Sequence, residues 1–197
     1  TGDNVTVLGY PMGGETLSTT KGTISRIEPH SYVWSYERML AIQIDASVNN
    51  GNSGGAALND NGEIVGIVMQ SYAKSKADNI SYIIPSMIVD TFLEDIRDDK
   101  VEGFDDSKIF NQTLTNEALK SFYNIKNDVG ILITKVEESE DTLRAGDILL
   151  EIENHVVAND GKIQTKYGAQ FVKYLTDSKP IGYKLKKTIL RDGKKLN

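Results

Sequence analysis

The sequence predicts a mainly β protein of two units: an all-β unit that ends in a helix, and a smaller α+β unit. In the first half, short apolar runs with period-two alternation lie between turn clusters. The second half mixes strand and helix periodicities, and the charge balance changes near residue 100. With 197 residues, of which 39% are hydrophobic and 25% charged, the chain is long enough for two small cores.

The first half contains a series of short strand patterns. Period-two or continuous apolar runs cover residues 5–8, 22–27, 40–44 and 64–68. The sequence Asn59-Asp60-Asn61-Gly62 predicts a hairpin turn before the last of these runs, because Asn and Gly tolerate positive φ. This half therefore has the pattern of an antiparallel β structure.

A closing helix and a link follow these strands. After Pro85, the apolar residues lie at helical spacing: Met87, Ile88, Phe92 and Ile96. The polar run that follows ends in Gly103, which is typical of an interdomain link. Residues 1–99 carry 6 Lys and Arg against 13 Asp and Glu, whereas residues 100–197 carry 16 against 15. We therefore divide the chain into units 1–99 and 100–197.

The second half predicts a compact α+β unit. Residues 130–136 and 148–152 have the pattern of strands, and alternation over residues 183–190 predicts a final strand. Residues 116–123 predict a short helix, and apolar residues within 171–175 lie at helical spacing. The two halves thus differ in structural class as well as in charge.

Composition excludes several kinds of function. With no Cys, the chain has no disulfide, thiol nucleophile or thiolate metal site, and its two His without clustered acids argue against any metal site. We expect no metal and no cofactor. The net charge of −6 argues against nucleic acid or an anionic membrane as the main partner. Apolar runs are far shorter than the about 20 residues of a membrane span.

The motif that carries chemistry is Gly51-Asn52-Ser53-Gly54-Gly55. A Ser hydroxyl becomes a nucleophile when a base takes its proton and N–H donors stabilise the oxyanion. The motif also fits the G-x-S-x-G elbow of α/β-hydrolases, but that elbow needs a strand before the Ser and a helix after it. Here a loop precedes the Ser, and a turn and another strand follow. From the residues alone, the alternative is a surface turn.

Residues 43–55, followed by residues 62–67, resemble the active-serine region of HtrA/Deg serine proteases. These are chymotrypsin-fold enzymes with C-terminal PDZ domains. Gly9-Tyr10-Pro11 with Gly13-Gly14 is similar to the Gly-Tyr-Pro turn of that family, and Ser81–Pro85 to its last strand. Residues 143–149, with Gly146-Asp147, resemble the PDZ turn that carries a Gly-Asp pair before a strand.

The resemblance covers essentially the whole chain and implies its fold. Residues 1–99 would be the C-terminal half of a chymotrypsin-like double β-barrel, and residues 100–197 a smaller PDZ-like domain. The sequence begins at Thr1 rather than Met, so we expect it to be a piece of a longer protein.

Carried over residue by residue, the resemblance assigns Ser53 as the nucleophile. The backbone N–H groups of Gly51 and Ser53, with Asn52 between them, would form the oxyanion hole. Asn52 has no charge with which to receive an N-terminal ammonium, so activation would depend on loop ordering.

The resemblance also implies substrate contacts. Ser47 and Val48 would line the primary pocket, and Val68, Met69 and Gln70 would pair with substrate as an added strand. No acid or base is evident for this pocket, so we expect a preference for small or medium apolar side chains.

In the second unit, the loop that captures a peptide carboxylate in PDZ domains corresponds to residues 104–110. This stretch lacks the usual Gly and carries Asp105 and Asp106, whose charges oppose carboxylate capture. Strand pairing with a peptide along Ile109, Phe110 and Asn111 is the alternative.

The catalytic base and its orienting Asp would lie upstream of this sequence. Its only imidazoles are His30, in a predicted hairpin loop, and His155, in a predicted turn, and we expect neither to be catalytic. The parent would be a serine endopeptidase that hydrolyses peptide bonds of unfolded or damaged proteins, and the isolated chain would be inactive. The alternative is a catalytically inert peptide-binding or scaffold protein with a relic protease domain.

The resemblance also suggests partners and location. Substrates would be unfolded polypeptides or peptides, with no nucleic acid and no membrane span. The parent would be a trimer-based homo-oligomer, whereas this chain alone would be monomeric. The family resemblance points to a bacterial cell envelope or a eukaryotic organelle.

Overall fold

The computed structural model describes residues 1–12, 15–32, 38–49, 51–71, 80–104, 108–137, 143–165 and 168–197, with backbone alone at 70, 71, 98 and 108. The chain divides into two compact units, Thr1–Gly103 and Phe104–Asn197. The division follows Gly103, the glycine with positive φ that ends the polar run. No helix in the described ranges is long and apolar enough to span a membrane.

The first unit is a closed antiparallel barrel. Its strands are β1 (Asn4–Gly9), β2 (Ser18–Ser31), β3 (Arg38–Ile44), β4 (Ala56–Leu58), β5 (Ile64–Ser71) and β6 (Ser81–Pro85). They are hydrogen-bonded in the order β1-β2-β3-β6-β5-β4, and the barrel closes where Thr6 and Val7 of β1 pair with Leu58 and Ala57 of β4. This mainly β architecture confirms the predicted fold class and is consistent with one barrel of a chymotrypsin-like double barrel.

The barrel core follows from the alternation of the strands. In β1, Val5 and Val7 point inward, while the residues between them are partly exposed. The other buried members of this core are Ile42, Ile44, Ala46, Val48, Ala57, Val68 and Ile83. The same alternation that predicted the strands therefore also builds the core.

The strand β2 is longer than predicted. Its first part pairs with β1 and its second part with β3, with a register shift between Ile24 and Arg26. His30 lies inside this strand, opposite Met39, and not in a loop as predicted. The prediction failed because Pro29 and His30 are not typical strand residues, yet β3 provides a partner for both.

The predicted hairpin turn and closing helix are confirmed. Asn59 Oδ1 accepts hydrogen bonds from the N–H groups of Asn61 and Glu63, which folds the turn between β4 and β5. Helix α1 (Ser86–Asp95) begins directly after Pro85. It buries Ile88 and Thr91, whereas Phe92 of the predicted apolar face is exposed.

The second unit has a sheet, a hairpin and two short helices. The sheet runs in the order β14 (Lys194–Leu196), β13 (Lys187–Arg191), β9 (Ile148–Ile152), β8 (Ile131–Glu137), β7 (Lys108–Thr113), and β10 (His155–Val156) pairs with β9. Strands β11 (Lys162–Thr165) and β12 (Gly168–Phe171) form the hairpin, and the helices are α2 (Glu117–Phe122) and α3 (Lys173–Asp177). The main core contains Ile131, Ile133, Leu143, Leu149, Ile152, Val157, Ile163, Leu175 and Ile189.

Two element boundaries differ from the prediction. The final long strand begins at Lys187 and not at residue 183, because its pairing with β9 starts only at the Lys187–Ile152 pair. Phe171 ends β12, and helix α3 begins after it, at Lys173. The predicted helix at residues 116–123 is confirmed, with Asn116 Oδ1 accepting from the N–H of Ala118 at 2.8 Å as its N-cap.

A buried ion pair fixes the start of β9. Asp147 is 1% exposed and accepts two hydrogen bonds from the Arg191 guanidinium, at 2.7 and 2.6 Å, and one from the Arg144 N–H at 2.8 Å. Burial alone would raise the pKa of Asp147, but these hydrogen bonds and the cationic charges hold it below its ordinary value. Asp147 is therefore a charged anchor between β9 and β13.

Candidate active site

The Ser53 turn occupies a defined place in the barrel. It directly precedes β4, which is hydrogen-bonded to β1 on one side and to β5 on the other. The turn therefore lies between the segment that follows β1 and the middle of β5. Ser53 itself is exposed at the surface of the barrel.

The glycines around Ser53 are required by close backbone approaches. Gly51 has φ of +98°, and a side chain there would lie 2.5 Å from the carbonyl oxygen of Tyr10 and 3.0 Å from the Met12 nitrogen. A side chain at Gly55 would collide with the carbonyl oxygen of Leu8. Both positions exclude any residue larger than glycine without movement of backbone.

Backbone hydrogen bonds hold the turn against β5. The N–H of Gly54 donates to the Val68 carbonyl at 2.8 Å, and the Val68 N–H donates to the Gly55 carbonyl at 2.9 Å. The Ser53 hydroxyl donates to the Met69 carbonyl at 3.3 Å. In the pairing of β5 with β6, the register shifts between Val68 and Gln70, so Met69 lies in a bulge. The bulge thus places a carbonyl oxygen beside the Ser53 side chain.

Two N–H groups of the turn have no acceptor among the residues that the structure describes. Asn52 N–H donates to the Asn49 carbonyl at 3.1 Å, and Gly55 N–H donates to the Asn52 carbonyl at 2.9 Å. Within the described part of the chain, the N–H groups of Gly51 and Ser53 donate no hydrogen bond. Stabilisation of an oxyanion needs N–H donors that are not already engaged, so these two groups are candidates for that role.

Asn52 points inward, away from the exposed Ser53. Its side chain is 3% exposed, and its Oδ1 has no hydrogen-bond partner among the described residues. This oxygen lies where a side chain on Gly9 would be. The absence of a side chain at Gly9 therefore leaves the space that the buried Asn52 side chain fills.

The predicted substrate-contacting residues occupy different environments. Val48 and Val68 are buried in the barrel core, Ser47 is exposed, and the Met69 carbonyl reaches Ser53. Gln70 continues β5, but its side chain lies outside the described residues. The structure thus brings the backbone of β5, and Met69 in particular, to the predicted nucleophile.

Both imidazoles are engaged elsewhere. The His30 ring stacks on Tyr82 with centroids 3.9 Å apart. Burial lowers the pKa of His30, the Glu28 charge raises it by less, and the Arg38 charge lowers it further. His155 lies in β10, with Nδ1 2.8 Å from the Gln164 carbonyl oxygen. Among the described residues, the partner of the Ser53 hydroxyl is Met69 and not an imidazole.

The predicted peptide-pairing residues lie on the outer strand of the second sheet. Ile109, Phe110 and Asn111 belong to β7, which is paired with β8 on one side. Phe110 is half exposed, and Lys135 Nζ lies 5.6 Å from its ring centroid. The two acids of the predicted carboxylate loop, Asp105 and Asp106, lie outside the described residues, as do Gly13 and Gly14 of the first unit.

Sequence reasoning did not assign a function to Tyr10 and Met12. Both are exposed, and both lie against Gly51 through their backbones. The resemblance had marked Gly9-Tyr10-Pro11 as a family turn. The contact with Gly51 depends on the pairing of β1 with β4, which no local pattern reveals.

Comparisons with known proteins identify what the chain is similar to. Residues 1–67 match the family of the trypsin-like peptidase domain. Protease Do-like 2, chloroplastic, from Arabidopsis thaliana is 38% identical over 196 residues, which are 97% of this chain and 32% of that protein. Putative protease Do-like 3, mitochondrial, from the same plant is 36% identical over 199 residues, 98% of this chain and 35% of that protein. The chain belongs to the HtrA/Deg family.

Solved structures of HtrA/Deg proteins share the fold. The HtrA-type protease AlgW with tripeptide has a TM-score of 0.65 and 24% identity, and the match covers 98% of this chain and 62% of that one. AlgW with decapeptide gives a TM-score of 0.63 at 23% identity, over 100% of this chain and 58% of that one. The HtrA/Deg chain described here spans about a third of the length of the curated relatives Do-like 2, 3 and 4.

Proposed function

We propose that Ser53 is the nucleophile of a serine endopeptidase that hydrolyses peptide bonds of unfolded or damaged polypeptides. The observation that carries this proposal is the Ser53 turn itself. An exposed hydroxyl lies beside two N–H groups, of Gly51 and Ser53, that donate to no described residue. The HtrA/Deg relatives support the same chemistry.

The reaction follows from this arrangement. A base takes the hydroxyl proton while Ser53 Oγ attacks the scissile carbonyl carbon, and the resulting oxyanion accepts from the Gly51 and Ser53 N–H groups. The C–N bond then breaks, the amine leaves with a proton from the base, and an ester on Ser53 remains. Water hydrolyses that ester to free the acid and restore the hydroxyl.

Met69 would change partners during this cycle. Its carbonyl oxygen accepts from the Ser53 hydroxyl in the present structure. When the hydroxyl turns toward a base, that carbonyl becomes available to a backbone N–H of a substrate aligned with β5. The acyl half of the substrate would then add a strand beside Val68 and Met69.

The base is proposed to come from outside residues 1–197. His30 is stacked on Tyr82, and His155 belongs to the second unit, beside Gln164. The chain also spans about a third of the relatives named above. A His with an orienting Asp on another part of the protein would complete the site.

The second unit is proposed to bind peptide as a PDZ-like domain, through pairing along Ile109, Phe110 and Asn111. Strand β7 is the outer strand of its sheet, and its backbone is paired with β8 on one side. An outer strand is the usual acceptor for an added peptide strand. The AlgW structures that share this fold contain a tripeptide or a decapeptide.

A fluorophosphonate probe tests the proposal on the full-length protein. We expect covalent labelling at Ser53, no labelling of Ser53→Ala, and cleavage of an unfolded protein substrate by the unsubstituted protein alone. The matched control is Ser18→Ala, a Ser on β2 that shares the barrel but not the turn. Peptide binding without any labelling would instead identify an inert scaffold and contradict the endopeptidase.

A further inference from the structure

We propose that Tyr10 and Met12 form the site for the leaving-group half of the substrate and select an apolar residue directly after the scissile bond. This inference rests on the proposed role of Ser53 as nucleophile. It concerns a specificity that follows from the place of the Ser53 turn in the barrel. Neither residue is part of the nucleophile, the oxyanion donors or the β5 strand.

The strand order places the two residues on the side of the turn opposite to β5. Strand β4 is paired with β5 through Ala56 and Ile67 and with β1 through Val7 and Ala57. The turn before β4 therefore has β5 on one flank and, on the other, the segment that follows β1. That segment begins with Tyr10.

Direct backbone contact confirms this placement. A side chain on Gly51 would lie 2.5 Å from the Tyr10 carbonyl oxygen, 3.0 Å from the Met12 nitrogen and 3.0 Å from the Pro11 Cα. On the opposite flank, the Ser53 hydroxyl reaches the Met69 carbonyl and the Gly54 N–H reaches the Val68 carbonyl. Ser53 thus lies between residues 10–12 and the bulge of β5.

A substrate that crosses Ser53 must contact both flanks. Its acyl half would pair with β5, and its scissile carbonyl would point to the N–H groups of Gly51 and Ser53. The leaving half then continues away from β5, toward Tyr10 and Met12. Because an extended chain advances about 3.3 Å per residue, the first or second residue after the scissile bond reaches them.

The chemistry of these side chains selects an apolar residue. Tyr10 is 62% exposed and Met12 is 82% exposed, so two large side chains face solvent on the segment whose backbone lies against Gly51, two residues before Ser53. The flexible thioether of Met12 adapts to aliphatic and aromatic side chains, and the Tyr10 ring presents an apolar face with a polar tip. A substrate side chain of the Leu or Phe type would remove apolar surface of both from water.

Acyl transfer measures this site separately from the rest of the reaction. The full-length protein would be acylated with a peptide thiobenzyl ester, whose leaving group contains no amino acid. The acyl-enzyme then partitions between water and an added amino acid amide, which must bind on the leaving-group side. The ratio of the rates with leucinamide and glycinamide reports on that side alone.

We expect the unsubstituted protein to prefer leucinamide over glycinamide by about tenfold, the size of effect that one apolar side chain gives in a pocket. Tyr10→Ala combined with Met12→Ala should bring this ratio close to one. Met12→Lys should replace the apolar preference with a preference for an acidic residue and favour aspartamide over leucinamide. The matched controls Phe122→Ala and Phe92→Ala remove exposed apolar side chains elsewhere and should keep the preference for leucinamide.

The outcomes separate this inference from the proposed function. If the ester is hydrolysed through Ser53 but the preference is absent, or survives in the Tyr10 and Met12 variants, the leaving-group site is wrong and the nucleophile stands. If Ser53→Ala hydrolyses the ester as fast as the unsubstituted protein, the proposed function fails, and this inference fails with it. Because Met12→Lys tests a gain of preference, loss of folding does not mimic the expected result.

Discussion

The Asn52 side chain occupies the space that a side chain on Gly9 would need. A Cβ on Gly9 would collide with Asn52 Oδ1 and lie 3.0 Å from Asn52 Cα. Residue 9 ends β1, and residue 52 immediately precedes the proposed nucleophile. The end of one strand and the geometry of the Ser53 turn are therefore joined by a single packing contact.

Gly9→Ala should displace the Ser53 turn. Because the added methyl collides with a buried side chain, we expect a loss of about 1–3 kcal/mol in the free energy of unfolding. We also expect much slower fluorophosphonate labelling of Ser53. Gly62→Ala, in the β4–β5 turn at φ of +79°, is the control, since it strains the barrel away from the site. Equal labelling rates in both variants would contradict the coupling.

Asn52→Asp should place an uncompensated carboxylate in the barrel. The residue is buried and its Oδ1 has no described donor, so the charged form should cost about 3 kcal/mol or more at neutral pH. Burial should raise the pKa of the introduced Asp, so the loss should shrink as the pH falls and the group becomes neutral. Urea unfolding across the acidic range measures this; a loss independent of pH would argue against a buried charge.

His30 should make the barrel less stable in mild acid. Since burial lowers the pKa of His30, the folded state takes up a proton less readily than the unfolded state. Its contribution to stability is thus complete above the unfolded pKa and is lost as the pH falls toward the folded one. His30→Phe keeps a ring against Tyr82. Its free energy of unfolding should therefore change less between about pH 7.5 and about pH 5 than that of the unsubstituted protein. An unchanged difference would show that another group titrates.

Asp147→Asn should weaken the second unit at neutral pH. The variant loses the charge-assisted hydrogen bonds from Arg191, which we expect to cost about 2 kcal/mol. The folded pKa of Asp147 lies below the ordinary value of 3.8, so its contribution is complete above that value and is lost as the pH falls through the folded pKa. The free energies of unfolding of the unsubstituted protein and of Asp147→Asn, measured with urea, should therefore become equal in strong acid. Asp192→Asn, an exposed acid in the turn between β13 and β14, directly after Arg191, is the matched control.

The parts of the fold that could be predicted are those whose apolar residues alternate or form a continuous run. Burial alternates along β1, whereas β3, β8 and β9 each contain consecutive buried residues, and Asn116 marked the start of α2. Strand β4 has three residues, too few to show a period. The extension of β2 through Pro29 and His30 depends on pairing with β3, which overrides their local preferences.

The candidate site also has one part that the sequence predicted and one part that it did not. Ser53 and its glycines form one short motif, so the predicted nucleophile could be named from the sequence. The residues on either side of the Ser53 turn could not be named from the sequence. Met69 reaches Ser53 through a bulge of β5, and Tyr10 reaches Gly51 through pairing across the barrel. Such contacts join residues that are distant in sequence and leave no local pattern.

Closure of the barrel between β1 and β4 also sets an order of events in folding. The hairpins β2–β3, β4–β5 and β5–β6 join neighbours in the chain, whereas Thr6 and Leu58 meet only after a long segment has been ordered. Contacts that close long loops form late, because the entropy of closure must be overcome first. The Ser53 turn receives its contact with Gly9 only at that step. We therefore expect a chain still emerging from the ribosome to lack an assembled nucleophile until β1 and β4 have paired.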